Sequence, residues 1–456
     1  MTDHGSYPGP GDARCPGPST ADILRADGDP LPEALTSESY RFMGDEDIPY
    51  SRYTSPDFFA REMARMWPRV WQWACRLEHI PEVGDHLVYD IGPHSILIVR
   101  SAPDRIQAFH NACLHRGTQL RPSGSIGSAP RFRCPFHGWS WRLDGTLEDI
   151  PCRWDFPHMT DERARLPDVK VGIWGGFVFI NLDPDAEPLE SYLGVLPDHF
   201  RDGWDLSRRT IALHIQKELP TNWKAAQEAF LEAYHIIETH PQALVTAGDA
   251  NAQYDVFGDH VSRFVHTIGS PSPHLAERPS EQQIFEKMRL GEPGRRLEPG
   301  ETARSAAAAI LRERLGESWG VDLSGYSTSE MLDSIEYHLF PNMCLFGGVS
   351  LPMIYRFRPI GMDPGRTLFD LVFLRPLKPA ESPPFPPDPV PLGVDDSYTS
   401  VPGLDPGLGG VFDQDTNNLA LQWRGFHASK KPGQTLGNYQ EIRARHLHAT
   451  LDRYLS

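Results

Sequence analysis

Two short Cys–His pairs constrain this chain more than any other feature: Cys113-Leu114-His115-Arg116 and, across an eighteen-residue gap, Cys134-Pro135-Phe136-His137-Gly138-Trp139. Each pair follows a strand-like run, so two loop tips offer one thiolate and one imidazole apiece to a shared centre. Two Cys and two His can close a tetrahedral zinc site, but a usual finger keeps its cysteines in one knuckle and its histidines in a helix. Loops that mix the two types suit a 2Fe-2S cluster with Cys on one iron and His on the other. Neutral imidazoles in place of two thiolates raise the potential of such a cluster and make it an electron acceptor. Zinc stays open as the alternative at this point.

A second stretch, NWKAAQEAFLEAYHIIETH from Asn222 to His240, reads as a largely buried helix. At about 100° per residue, Trp223, Phe230, Tyr234 and Ile237 take bulky apolar positions, while Glu228, Glu232 and His235 share one narrow stripe. Buried carboxylates cost several kcal/mol unless a cation or a donor meets them, and a metal is one such partner. His240 lies roughly 140° from His235 on a straight helix, so joint ligation needs a widened turn or a helix end, and Pro241 follows at once. Taken alone, the two histidines are equally ordinary helix-end residues.

At 456 residues the chain has room for two or three domains. A net charge of -17 argues against non-specific binding to nucleic acid or to anionic membranes. No apolar run is long enough to span a bilayer, the first twenty residues lack the features of a secretory signal, and six cysteines are too few for a disulfide scaffold. A cytoplasmic location is therefore expected.

Residues 1–40, rich in Pro, Gly, Ser and Asp, read as a disordered tail. Ser55-Pro56-Asp57 opens a helix through about Trp67, placing residues 41–70 as an N-terminal helical segment. HLVYDI, SILIVR and RIQAF begin a compact antiparallel module over 71–182; Asp144-Gly145 marks a hairpin turn and KVGIWGGFVFINL a closing strand pair. Beyond it, residues 183–456 carry six strand candidates (TIALHIQKEL, HVSRFVH, SIEYHLF, MCLFGG, MIYRFR and TLFDLVFLRPL) with helical, polar sequence over 278–333. One antiparallel sheet covered by helices, hence an α+β second domain, follows. Residues 377–410 read as a surface excursion and 435–454 as a closing helix. Cys15, Cys75, Cys152 and Cys344 have no partner pattern and read as non-ligands.

CLHRG followed by CPFHGW resembles the Rieske motif of ring-hydroxylating and related Rieske oxygenases, with the longer gap taken as a loop insertion at PSGSIGSAP. The resemblance implies a small all-β Rieske domain joined to a helix-grip, START-like catalytic domain. Its 2Fe-2S ligands would be Cys113, His115, Cys134 and His137. It also implies a mononuclear Fe(II) on His235, His240 and a late acid in VFDQDTNNLALQWRGF. Asp415 is that acid, with Asp413 as runner-up. Such a 2-His-1-carboxylate group leaves positions for O2 and substrate. Glu232, three residues before the first iron His, would bridge that His to a Rieske His of a neighbouring subunit. Many dioxygenases have Asp there, and Ala229 stands where the family usually has Asn. The resemblance further implies a closed homo-oligomer, most simply a homotrimer. Electrons would come from NAD(P)H through a reductase, with or without a ferredoxin, and a small β-type subunit stays open. Phe230, Phe340, Phe346, Phe412 and Leu419 are candidate pocket residues.

The leading expectation is the oxygenase component of an aromatic ring-hydroxylating system. The alternative is a Rieske monooxygenase acting on an N-methyl, O-methyl or quaternary ammonium substrate, since Glu as the bridging acid also occurs in quaternary-ammonium oxygenases. A pure electron-transfer protein needs only about one hundred residues and leaves the second ligand set unexplained.

Overall fold

The computed structural model describes residues 17–378 and 380–456. Cys15 and the first sixteen residues of the expected tail lie outside them. Over its described part, that tail is corrected. Ser19 accepts the backbone N–H of Asp22, whose carboxylate in turn takes the Ser19 N–H, and this box starts the helix Thr20–Asp27. Thr20, Ile23 and Leu24 are buried, and a second short helix, Glu33–Thr36, buries Ala34 and Leu35. Local turn-like composition concealed a segment that tertiary packing holds.

The helix opening at Pro56 is capped by Ser55 but does not run evenly to Trp67. A π-turn over Glu62–Met66 widens it, and a 3-10 turn Trp67–Arg69 ends it. The widening tucks Glu62 inward, where it meets Lys224 Nζ at 2.5 Å and accepts the indole N–H of Trp223 at 3.0 Å. Both members of this ion pair are fully buried, so each offsets part of the desolvation cost of the other.

The small domain is built on a seven-stranded sheet in the order Gln72–Arg76, Phe177–Asn181, Asp168–Trp174, Arg105–His110, His94–Ala102, Asp85–Ile91, Ile126–Ser128. A three-stranded sheet of Phe132–Arg133, Ser140–Trp141 and Leu147–Asp149 holds the second Cys–His loop. The insertion between the loops does more than lengthen a tip: its Ile126–Ser128 pairs with Asp85–Leu87 as an edge strand.

The larger domain contains an eight-stranded sheet, ordered Gln253–Phe257, Val261–His266, Ser334–Leu339, Met343–Gly347, Met353–Pro359, Thr367–Pro376, Arg209–Leu219, Val390–Leu392. All the neighbours are antiparallel except the last. Val390–Leu392, inside the expected surface excursion, pairs parallel with Ile215–Lys217 and closes that edge. The C-terminal helix Ile442–Leu455 is buried along most of its length.

One core joins the two domains, with Trp73 and Phe177 of the small domain in the same apolar cluster as Tyr355, Phe357 and Phe369. A polar clamp crosses the seam. Asp370 accepts from Arg356 Nε at 2.9 Å and from His214 Nε2 at 2.9 Å, and Arg356 NH1 donates to the carbonyls of Trp73 and Ala74 at 2.9 and 3.0 Å.

Candidate functional site: two metal-type centres

The two Cys–His loops are built alike. In each, the Cys carbonyl accepts the N–H of a glycine four residues on, at 2.9 Å for Gly117 and 3.1 Å for Gly138. The Cys N–H donates five residues on, to Thr118 and Trp139, both at 2.8 Å. The glycines have φ of 79° and 78°, a left-handed turn open to Gly at no steric cost. The tips thus bring the four predicted ligands together. Cys113 and Cys134 are buried neighbours: burial raises the Cys113 thiol pKa, the backbone at His115 opposes this, and Cys134 adds to it. The rings of His115 and His137 lie 4.6 Å apart, and Trp139 stacks on His115 at 5.1 Å. His115 Nδ1 is buried with no hydrogen-bond partner. An orphaned imidazole nitrogen beside paired thiols fits a 2Fe-2S cluster. His137 and Phe136, by contrast, are exposed.

The second centre departs from the single helix expected over 222–240. Asn222 caps a helix Trp223–Glu228; residues 229–235 are unwound; a one-turn helix, Ile236–Thr239, follows. A continuous helix would stack the buried acids Glu228 and Glu232 at i,i+4, where like charges repel. The break sends them apart. Glu228 accepts from Tyr53 Oη at 2.9 Å, His448 Nε2 at 2.8 Å and Gln434 Nε2 at 3.0 Å, and so leaves the stripe predicted for it. Glu232 turns to His235, taking the ring Nδ1–H at 2.8 Å and the backbone N–H at 2.9 Å. Burial pulls the His235 pKa down, but the Glu232 carboxylate, with Asp415 and Glu336, outweighs it and lifts the value to about 8 while no metal is bound.

His240 ends the short helix with φ -125°, outside helical geometry, and its ring swings back toward His235. Its Nδ1–H donates to Gln414 Oε1 at 2.9 Å. With both Nδ1 atoms so engaged, the Nε2 atoms of His235 and His240 face one oxygen of Asp415, at 3.5 and 2.7 Å. Two imidazole nitrogens and a carboxylate oxygen, all within 4.8 Å of one another, can hold a metal ion that displaces the protons they share without it. The set fits a mononuclear metal of the 2-His-1-carboxylate kind.

Asp415 lies inside the helix Pro406–Ala428, whose cap is Asp405. Asp413, the runner-up, is turned away: it accepts the Tyr398 N–H at 3.0 Å and the Ser397 hydroxyl at 2.5 Å, fixing the preceding loop. Of the pocket candidates, Phe230 and Phe412 pack around Tyr355 at 5.4 and 6.0 Å, with Phe346 at 5.1 Å. Leu419 is buried on the Asp415 helix. Phe340 stacks on Tyr454 and its carbonyl accepts from Tyr192 Oη, and all five candidates belong to the one buried apolar core. Gln414 and Tyr355 escaped the sequence reading. Gln414 carries a signal only in standing beside the acid, and Tyr355 only in the strand alternation that puts it opposite Cys344. A cavity of about 80 Å³ adjoins Glu232, lined also by Glu228, Glu441, Gln422 and Gln434. Larger clefts, of about 550 Å³ beside the helix Thr20–Asp27 and about 600 Å³ at the domain seam, lie elsewhere.

Fold and site together define a two-centre protein: a β module with a mixed Cys–His loop pair, joined to a sheet-and-helix domain with a 2-His-1-carboxylate group. Residues 204–456, more than half of the chain, match the family of the ring hydroxylating alpha subunit (catalytic domain), and residues 70–160 match the Rieske [2Fe-2S] domain. The chain belongs to this family of Rieske oxygenase alpha subunits. It is 29% identical over 226 residues to the glycine betaine monooxygenase oxygenase subunit of Pseudomonas aeruginosa, covering 48% of this chain and 51% of that protein. The carnitine monooxygenase oxygenase subunit of Escherichia coli K12 is 30% identical over 195 residues, covering 42% and 52%. The alpha subunit of chlorobenzene dioxygenase from Cupriavidus sp. PS12 is 31% identical over 201 residues, covering 43% and 44%. The matches thus span about half the length of these relatives. In fold, a quaternary ammonium Rieske monooxygenase superposes with a TM-score of 0.62 at 16% identity, over 90% of this chain and 95% of the other. A naphthalene 1,2-dioxygenase variant bound to phenanthrene gives 0.62 at 18%, over 91% and 93%. Among the described residues, no helix is long and apolar enough to cross a membrane.

Proposed function

We propose that this chain is the oxygenase component of a Rieske monooxygenase acting on an N-methyl or quaternary ammonium compound. The observation that carries the reading is Glu232: the acid holding His235 is Glu, the form associated above with quaternary-ammonium oxygenases. The glycine betaine and carnitine monooxygenase relatives point the same way. Phe346 packs on Tyr355 with Phe230 and Phe412 beyond, while the nearby Glu336 carboxylate is taken by Arg443. Aromatic faces of this kind suit an organic cation.

When bound, a 2Fe-2S cluster on Cys113, His115, Cys134 and His137 supplies single electrons, and Fe(II) on His235, His240 and Asp415 supplies O2 activation. The chain's own residues do the rest. Glu232 fixes the tautomer and angle of His235, and Gln414 does so for His240, leaving both Nε2 atoms free to ligate. Tyr355, Phe346, Phe230 and Phe412 keep the neighbourhood apolar. The overall change inserts one oxygen atom into a C–H bond, while the other leaves as water with two electrons and two protons. Electrons come from NAD(P)H through a reductase partner. In a closed homotrimer, Glu232 would stand between His235 and the exposed His137 edge of a neighbouring copy, on the path those electrons would take. The location is cytoplasmic.

The same aromatic set also suits a flat apolar substrate, and the chlorobenzene dioxygenase relative keeps aromatic ring hydroxylation as the second reading. Reconstitution with a reductase, O2 and parallel panels of N-methylated cations and aromatic acids separates the two. Aldehyde released in step with NAD(P)H from the cations supports the first. Ring-hydroxylated products alone overturn it.

A further inference from the structure

The unwound stretch 229–235 runs against its own sequence. Ala229, Leu231, Glu232 and Ala233 are among the better helix formers, so nothing local ends the helix at Glu228. A break of this kind leaves backbone groups without helical partners in a buried place, and each must be met from elsewhere. Three side chains meet them. The Ala233 N–H donates to Tyr254 Oη at 2.8 Å, the His235 N–H to Glu232, and the Leu231 carbonyl accepts from Arg443 NH1 at 3.2 Å. Arg443 is itself held by Glu336 Oε1 at 2.9 Å. Ala233, Leu231, Tyr254 and Arg443 are all buried.

We infer that Tyr254 is a positioning residue for the iron site: its phenol oxygen, on the strand Gln253–Phe257, keeps the turn open in which Glu232 and His235 face each other. Ala233 is the residue directly after Glu232, so rewinding there returns Glu232 toward Glu228 and moves His235 off Asp415. Arg443 secures the other side of the same turn. The role in turnover rests on the oxygenase reading; the role in holding the backbone does not.

Tyr254→Phe tests it, since the ring and its packing against Tyr439 at 5.2 Å are kept and only the acceptor is lost. Tyr439→Phe is the matched control, because Tyr439 Oη also accepts a buried backbone N–H, that of Tyr254. Amide exchange on the metal-free full chain should speed up by about tenfold or more at residues 232–236 in Tyr254→Phe and stay unchanged there in Tyr439→Phe. In the iron-loaded protein, Tyr254→Phe should form less product per electron consumed, with the Rieske absorbance intact. Unchanged exchange in Tyr254→Phe, or equal acceleration in both variants, overturns the inference. If the wild type turns over nothing, the oxygenase reading fails, and the exchange result still decides the role of Tyr254.

Discussion

Glu232 grips His235 twice, with one carboxylate oxygen on the ring Nδ1 and the other on the backbone N–H of the same residue. The carboxylate therefore fixes both the tautomer of a ligand and the entry into the one-turn helix that leads to His240. Carboxylates that hold a metal-binding imidazole in this way commonly contribute about 10–100-fold to metal affinity or activity. Glu232→Gln keeps the size and one acceptor but loses the charge. It is expected to retain both iron centres by metal analysis and to lose about 10–100-fold in coupled turnover. Stopped-flow reoxidation of the Rieske cluster at the wild-type rate would refute the bridging role.

Asp413 and Asp415 are two residues apart on one helix and do different work. Asp415→Ala should abolish mononuclear iron binding while the Rieske absorbance survives. Asp413→Ala should keep that iron and instead lose about 1–3 kcal/mol of stability, because Tyr398 N–H and Ser397 lose their acceptor. Iron counting and thermal melts on the two variants decide the assignment. Loss of mononuclear iron in the Asp413 variant alone would reverse it.

Much of this was legible beforehand, for physical reasons that differ by element. The strand runs carry apolar, β-branched residues between turn signals. The Cys–His loops carry their chemistry within a few residues. The failures share a cause, since their partners are remote in sequence. The capped helix at Thr20 hides in Pro- and Gly-rich surroundings, and its value lies in burying Ile23 and Leu24 against the larger domain. The break after Glu228 is invisible because its residues favour helix, while what holds it comes from Tyr254 and from Arg443, 21 and 212 positions away. Hydrophobicity alone does not separate pocket from core, and all five pocket candidates pack into the one buried core.

Asp370 ties the domains together by accepting from Arg356, Arg358, His214 and Gln216 while wholly buried. Burial pushes its pKa up, but Arg356 and Arg358 with His214 outweigh burial and hold it well below the ordinary carboxylate value. A depressed folded pKa stabilises the fold above the unfolded value of about 3.9, and that contribution fades as the pH falls below it. Asp370→Asn strands buried cations and should cost about 3–5 kcal/mol near neutrality. Melting curves across pH should show the gap between wild type and variant closing as the pH drops below about 4. A gap that stays constant down to the acid limit would remove Asp370 from the linkage.

Electron entry from a neighbouring copy, as proposed, would leave a mark that one chain cannot produce alone. His137 and Phe136 are exposed on the Rieske tip, and Tyr234, between Glu232 and His235 on the other centre, is 51% exposed. Exposed aromatic residues at both edges suit a contact between copies. Cys134→Ala removes a cluster ligand and spares the iron triad; His240→Ala does the reverse. Each homogeneous assembly should be inactive. Co-expressed chains should regain a fraction of wild-type turnover, because a mixed ring places an intact Rieske tip of one copy against the intact triad of the next. Transfer confined within single chains predicts no recovery at any mixing ratio, since neither chain holds both centres. The sedimentation profile of the mixture, measured beside its activity, separates failed assembly from failed transfer.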